Sequence, residues 1–299
     1  MLSHTVPEVK RVEVNPAVIA AFSRESDFTG LAVDLLVETA TYCCIAAGTL
    51  GQRTSWDRDT AAVAGNMVRQ FKLLDAFLDQ LCKHRDETGM ILARLVFETT
   101  VNVRYLIKNF SPSLIDSYIR HSLRYERQLR DRVRKAIDER GGVALNIENR
   151  MLRSIERAAR AASINLDEID LKNKQPWGGK NIFKKAQEVG LEKFYLAAFG
   201  GGSHSIHGNW QEVYSNHLEW EDGGSNEFTP KLTWKMPRPQ LVTSYAILIN
   251  DTVKIFFQFV AGNEASNYFD PLLDDLRDRV LDLVEAHEKY LSKKTWPEI

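Results

Sequence analysis

Cysteine is scarce in this sequence. Only Cys43, Cys44 and Cys82 occur among 299 residues, with no Cys-x-x-Cys pair and no Cys/His zinc spacing, which excludes a disulfide framework or a zinc knuckle and points to a reducing compartment. Charge of one sign is missing too. Lys and Arg number 39 against 40 Asp and Glu, so nothing draws the whole molecule onto nucleic acid or anionic lipid, and any polyanion site must be local. Long uninterrupted apolar runs are also absent. The two greasiest stretches, 32–50 and 241–260, are broken by Asp34 and Glu38 and by Asn250, Asp251 and Lys254, so both read as core helices and no membrane partner is expected. Residues 1–8 lack a basic segment followed by an apolar run, so no signal peptide is expected and the cytoplasm is the expected location. No internal repeat or low-complexity tract is present.

What remains is helical. Hydrophobic residues make up 44% of the chain, enough for a sizeable core. Phe28, Leu31, Leu35, Tyr42 and Ile45 fall at helical spacings, as do Val63, Met67, Phe71, Leu74 and Leu78. The expected fold is all-α, a single compact multi-helix bundle. Its helices are placed near 28–48, 57–84 and 88–109, then from Ser111-Pro112 to Gly141-Gly142, then near 146–163, 180–189, 191–199, 239–262 and 268–293. Residues 1–26 form an N-terminal extension to a helical domain of 27–293. Its connection at 217–239, rich in Trp, Gly, Asn, Thr and Pro, is expected to be irregular or to hold a short hairpin at 227–236.

Local charge gathers between Arg120 and Arg160, inside the basic helical segment 112–163, where Arg and Lys outnumber acids. These cations would either contact phosphates or cover solvated helix faces and pair with Asp270, Asp274, Asp275, Asp278 and Asp282 of the last helix.

The residues suited to chemistry lie elsewhere. On the mostly apolar helix at 88–109, Arg94, Glu98 and Asn102 recur every fourth position and line one face. Facing solvent, Arg94 and Glu98 form an ordinary i,i+4 pair; facing inward, they must be paired or line a pocket. After the Gly200-Gly201-Gly202 break, Ser203-His204-Ser205-Ile206-His207-Gly208 sets two histidines on one side of a helix, and histidine transfers protons well near neutral pH. In the alternative, the glycines serve only as a tight turn beside a helix-terminal histidine, or weakly cradle a phosphate. No His-Glu-x-x-His is present, and neither metal nor cofactor is expected. Trp177, in a Pro-Trp-Gly-Gly setting, and Tyr195 would wall a pocket or pack a loop onto the core.

The order Arg94-x-x-x-Glu98, then Tyr118 and Tyr125 on a basic helix, then Trp177-Gly, Tyr195 and Ser203-x-x-x-His207-Gly208 resembles a bacterial helical family of unknown function, over roughly residues 30–260. That family is in turn reminiscent of the HEPN superfamily, helical domains that often act as metal-independent ribonucleases in toxin–antitoxin and antiviral systems. The HEPN signature sets an Arg shortly ahead of a His on one helix; here Arg94 would supply the Arg from another helix. The resemblance implies RNA cleavage with His207 as general acid or base, Arg94 stabilising the anionic transition state, Glu98 orienting one of them, and Ser203 and His204 in the same pocket. Asn102, Tyr118, Arg124, Tyr125, Trp177 and Tyr195 would hold RNA or another ligand, and a homodimer would bring two sites together. Two alternatives stand beside this reading: a non-catalytic module that binds a small ligand or partner, and a structural protein whose Arg, Glu and His form a buried network.

Overall fold

A computed structural model describes residues 8–48, 55–200, 206–220 and 227–295. The chain is a helical bundle. Its elements are α1 (Pro16–Ala20), α2 (Glu25–Gly48), α3 (Arg58–Cys82), α4 (Asp86–Lys108), α5 (Pro112–Glu139), α6 (Asn146–Ala161), α7 (Ile182–Glu188), α8 (Glu192–Phe194), α9 (Trp210–His217) and α10 (Pro239–Leu291). A π-helical turn, Tyr195–Gly200, continues α8.

The helix boundaries follow local chemistry. Asp57 accepts from the amides of Asp59 and Thr60 at the start of α3, and the Ser111 hydroxyl accepts from Leu114 N ahead of Pro112 in the first turn of α5, each satisfying amides that the helix leaves unpaired. Gly141 and Gly142, at φ +73° and +85°, stop α5 in a conformation that side chains resist. The two expected C-terminal helices form the continuous element α10, which breaks at Gly262 (φ +60°, ψ −148°).

α2 lies at the centre, packed against α3 and α10, while α4 packs on α3 and α10. Phe28, Leu35, Leu36, Met67, Leu74, Phe77, Phe97, Leu106, Tyr245 and Phe256 are fully buried there, each contributing about 1.5–3 kcal/mol relative to exposure. α2 is long and apolar enough to cross a membrane. Here it is a core helix, and its buried Glu38 accepts from both Arg279 guanidinium nitrogens at 2.7 Å and from Val12 N at 2.8 Å. That network ties the N-terminal segment to α10. α5 and α6 form an arm with a smaller core of its own, Leu123, Ile155, Ala159, Ile164, Leu166 and Ile169.

The excursion does contain a hairpin. β1 (Leu218–Trp220) pairs antiparallel with β2 (Phe228–Pro230), Glu219 opposite Thr229. It begins earlier than the 227–236 expected because residues after β2 are committed elsewhere. Lys235 O accepts from Asp86 N, and Lys235 N donates to the Glu87 carboxylate, which pins this strand-like stretch to the start of α4.

Candidate functional site

The polar stripe of α4 is longer than the sequence spacing suggested. Asp86, Met90, Arg94, Glu98 and Asn102 follow one another at i,i+4, and each is half-buried, so the stripe faces neither open solvent nor the dry core. α7 and the turn Tyr195–Gly200 pack against α4. The Phe97 and Tyr195 rings lie 6.3 Å apart, and the charge of Glu98 acts on Lys185 of α7. Nearer the start of α4, Asp86 and Met90 face Gln211, Glu212, Ser215 and Asn216 of α9 across a cavity of about 510 Å³, closed by Lys235, Arg238, Gln240 and Leu241. The segment that bears His207 thus meets α4 through Tyr195 at Phe97 and through α9 at the Asp86 cavity.

His207 itself is exposed, just ahead of Gly208 at φ +55° and of Asn209, whose side chain caps α9 by accepting from Glu212 N at 3.0 Å. Among the described residues no hydrogen bond or ion pair joins His207 to Arg94 or Glu98. Ser203 and His204 lie outside the described residues.

Charges in the cavity are shifted. Burial, then the neighbouring Glu87, pushes the Asp86 carboxyl up to about 6, against the opposing pull of Lys235 and Arg238. Its Oδ1 is shielded from solvent and accepts no hydrogen bond. Glu212 is buried, with His217 Nε2 at 3.8 Å.

The residue that sequence reasoning missed is Lys185. It is only 2% exposed, and its ammonium sits 3.0 Å from the centroid of the Trp177 ring and 5.5 Å from that of Tyr105. Burial pulls its pKa down to about 7, with Glu98 acting in the opposite direction. A signal was present: Ile182, Lys185 and Val189 occupy one helical face, so Lys185 stands where an apolar residue belongs. Trp177 is itself buried against the edges of Tyr105 and Tyr118, at 5.4 and 5.1 Å. The Tyr118 hydroxyl accepts from Asn66 Nδ2 at 2.9 Å, and Tyr195 also packs on Phe183. Trp177, Tyr118 and Tyr195 thus serve as packing groups here, whatever else they do.

A second pocket, of about 410 Å³, opens between α5 and the loop 168–179, with Arg120, His121 and Arg124 on the helix side and Asn173, Gln175 and Trp177 on the loop side. Tyr125, 66% exposed, is not among its walls. The expected pairing of the arm's arginines with the acidic last helix is replaced by local pairs: Arg120 with Asp116, Arg127 with Asp131, Arg130 with Asp131 and Asp167, Arg134 with Glu156, and Arg140 with Glu148. The arm folds back on itself and supplies its own acids. Asp270 and Asp274 instead meet Lys254, and Asp275 meets Arg11 and Arg279.

Residues 60–226, more than half of the chain, match a family described as of unknown function. No curated protein and no solved structure matches.

Proposed function

Taking as premise that the chain belongs to this family of unknown function, DUF5677, we propose that it cleaves single-stranded RNA without a metal, at the α4 face beside the segment that bears His207. The observation that supports this reading is the pair of contacts flanking His207 in sequence: Tyr195 packs on Phe97, and α9 shares a cavity with Asp86, whose carboxyl is raised to about 6. His207, held when RNA is bound, takes the proton of a ribose 2′-hydroxyl. The resulting oxygen attacks the adjacent phosphorus, the bond to the 5′-oxygen breaks, and that oxygen receives a proton, leaving a 2′,3′-cyclic phosphate and a 5′-hydroxyl. Arg94 neutralises the phosphoryl oxygens as charge builds on them. Glu98, one turn from Arg94, turns toward it when RNA is bound. Asn102 extends the polar lining, Ser203 and His204 assist His207, and the basic face of α5 guides the strand.

The absence of a metal in this scheme follows the HEPN resemblance. The test is incubation of total RNA with purified protein in excess chelator, with mapping of the new ends. Fragments bearing 5′-hydroxyl ends support the scheme, and intact RNA overturns it.

A second reading, a non-catalytic module for a small polar ligand, is favoured by one observation: the cavity at Asp86 is walled by polar side chains of α4, α9 and the stretch 235–240, while His207 stands exposed. It expects ligand-dependent stabilisation without turnover.

A further inference from the structure

The pocket between α5 and the loop 168–179 takes no part in the chemistry above, yet its charges are set in one direction. Asp116 is shared between Arg58 and Arg120, and the Asp170 carboxylate accepts from Lys172 N within its own turn. Glu168, on the rim, is mostly exposed and meets Arg120 at 3.9 Å. Arg124, in contrast, has no carboxylate partner among the described residues. Its Nη2 donates to Leu171 O at 3.3 Å, and its Nε is shielded from solvent without an acceptor.

Behind the Trp177 wall lies Lys185, 2% exposed and resting on the indole face, with no hydrogen-bond acceptor among the described residues. His121 is exposed, and its protonation is disfavoured by partial burial and then by the charges of Arg124 and Lys185. The pocket thus presents an uncompensated guanidinium at Arg124, whereas its acids are neutralised or sit at the mouth.

The walls are preformed. Ser117 Oγ accepts from Gly178 N at 3.1 Å. Gly178 adopts φ +63°, and a Cβ there would meet Leu114 Cδ1 at 3.0 Å and the Tyr105 ring at 3.3 Å, so this turn requires glycine. Asn173 spends its side-chain oxygen on Gln175 N, which leaves its amide N–H groups and the whole Gln175 amide for a ligand.

We propose that this pocket binds a nucleoside phosphomonoester, with the phosphate against Arg124 and His121 and the nucleoside against Asn173, Gln175 and the open edge of Trp177. An uncompensated guanidinium suits a phosphate, and about 410 Å³ accommodates a single nucleotide. Two sources share this chemistry, a free mononucleotide and the 5′-phosphorylated end of an RNA strand. The site does not depend on the cleavage reading, because binding would stand even if no RNA were cut.

Calorimetry on the full chain distinguishes the sources, using AMP, adenosine, and a short 2′-O-methyl oligoribonucleotide with and without a 5′-phosphate. AMP should bind at least about tenfold more tightly than adenosine, and Arg124→Met should remove that preference while Arg124→Lys keeps part of it. Lys289→Ala, at the exposed pair with Glu285 on α10, should bind as the native chain does, with thermal melts checking the fold of every variant. Tighter binding of the 5′-phosphorylated oligonucleotide than of its 5′-hydroxyl twin assigns the pocket to RNA ends; a preference seen only with AMP assigns it to free nucleotide. Equal binding of AMP and adenosine, an unchanged Arg124→Met, or no binding of any probe at millimolar concentration overturns the proposal.

Discussion

Among the buried charges of the described residues, the Arg279–Glu38 pair and Lys185 are treated in opposite ways. Arg279 and Glu38 meet in a two-pronged pair at 2.7 Å, and the remaining valences are filled by Val12 N, Val12 O and Asp275. Lys185 is buried as deeply but rests on aromatic faces, with no hydrogen-bond acceptor among the described residues and only the charge of Glu98 to favour its protonated form. A charge whose hydrogen bonds are all made is a structural joint, expensive to break and inert. A charge left with unused hydrogen-bonding capacity costs stability wherever it sits, and such groups gather at functional sites. Lys185, Asp86 and Arg124 are such groups here.

The largest expected effect tests the joint. Glu38→Ala leaves the buried Arg279 with only the half-exposed Asp275 as counter-ion, and should cost about 3–5 kcal/mol of unfolding free energy by chemical denaturation; a loss under about 1 kcal/mol would erase the contrast. Asp86→Asn should act in the opposite sense. A carboxyl raised in the folded state disfavours folding increasingly as pH climbs from the ordinary aspartate range through about 6. The variant should therefore be more stable than the native chain at pH 7, by about 1–3 kcal/mol, and should match it near pH 3.

Lys185→Met, which keeps the stem's volume and removes the charge, should act most near pH 7 and least near pH 10.5. Because the ammonium is disfavoured in the fold, the unfolded chain binds more protons between about 7 and 10.5. Native stability should thus rise with pH across that window, and the variant's curve should run flatter there while differing by no more than about 1 kcal/mol at its upper end. Least of all, Lys289→Ala at the exposed pair with Glu285 should leave the denaturation midpoint where it is.

Much of the fold was legible because it is written in local terms. The Ser111-Pro112 start and the Gly141-Gly142 stop bound α5 as read, and the apolar spacing of α2 and α3 gave their core faces. The hairpin was legible in kind but misplaced, since the hold of Glu87 and Asp86 on Lys235 joins residues 148 apart in sequence, which no local pattern encodes. The site was half legible. The i,i+4 recurrence of Arg94, Glu98 and Asn102 gave a polar face, but the same recurrence reaches back through Met90 to Asp86 at the start of the helix. Lys185 was passed over, although its place on an apolar face set it apart. The arginines of the arm found acids within the arm, a consequence of α6 folding back on α5 that charge counting does not foresee.

The account's central claim is that His207, on the segment beside α4, is a proton-transfer group. Its most direct test compares the rate of RNA cleavage by the native chain with that by His207→Ala, in excess chelator and at matched salt, with thermal melts confirming equal folding. The account expects a loss of about 10²-fold or more in the variant. Equal rates, or cleavage that only an added divalent cation supports, would contradict it.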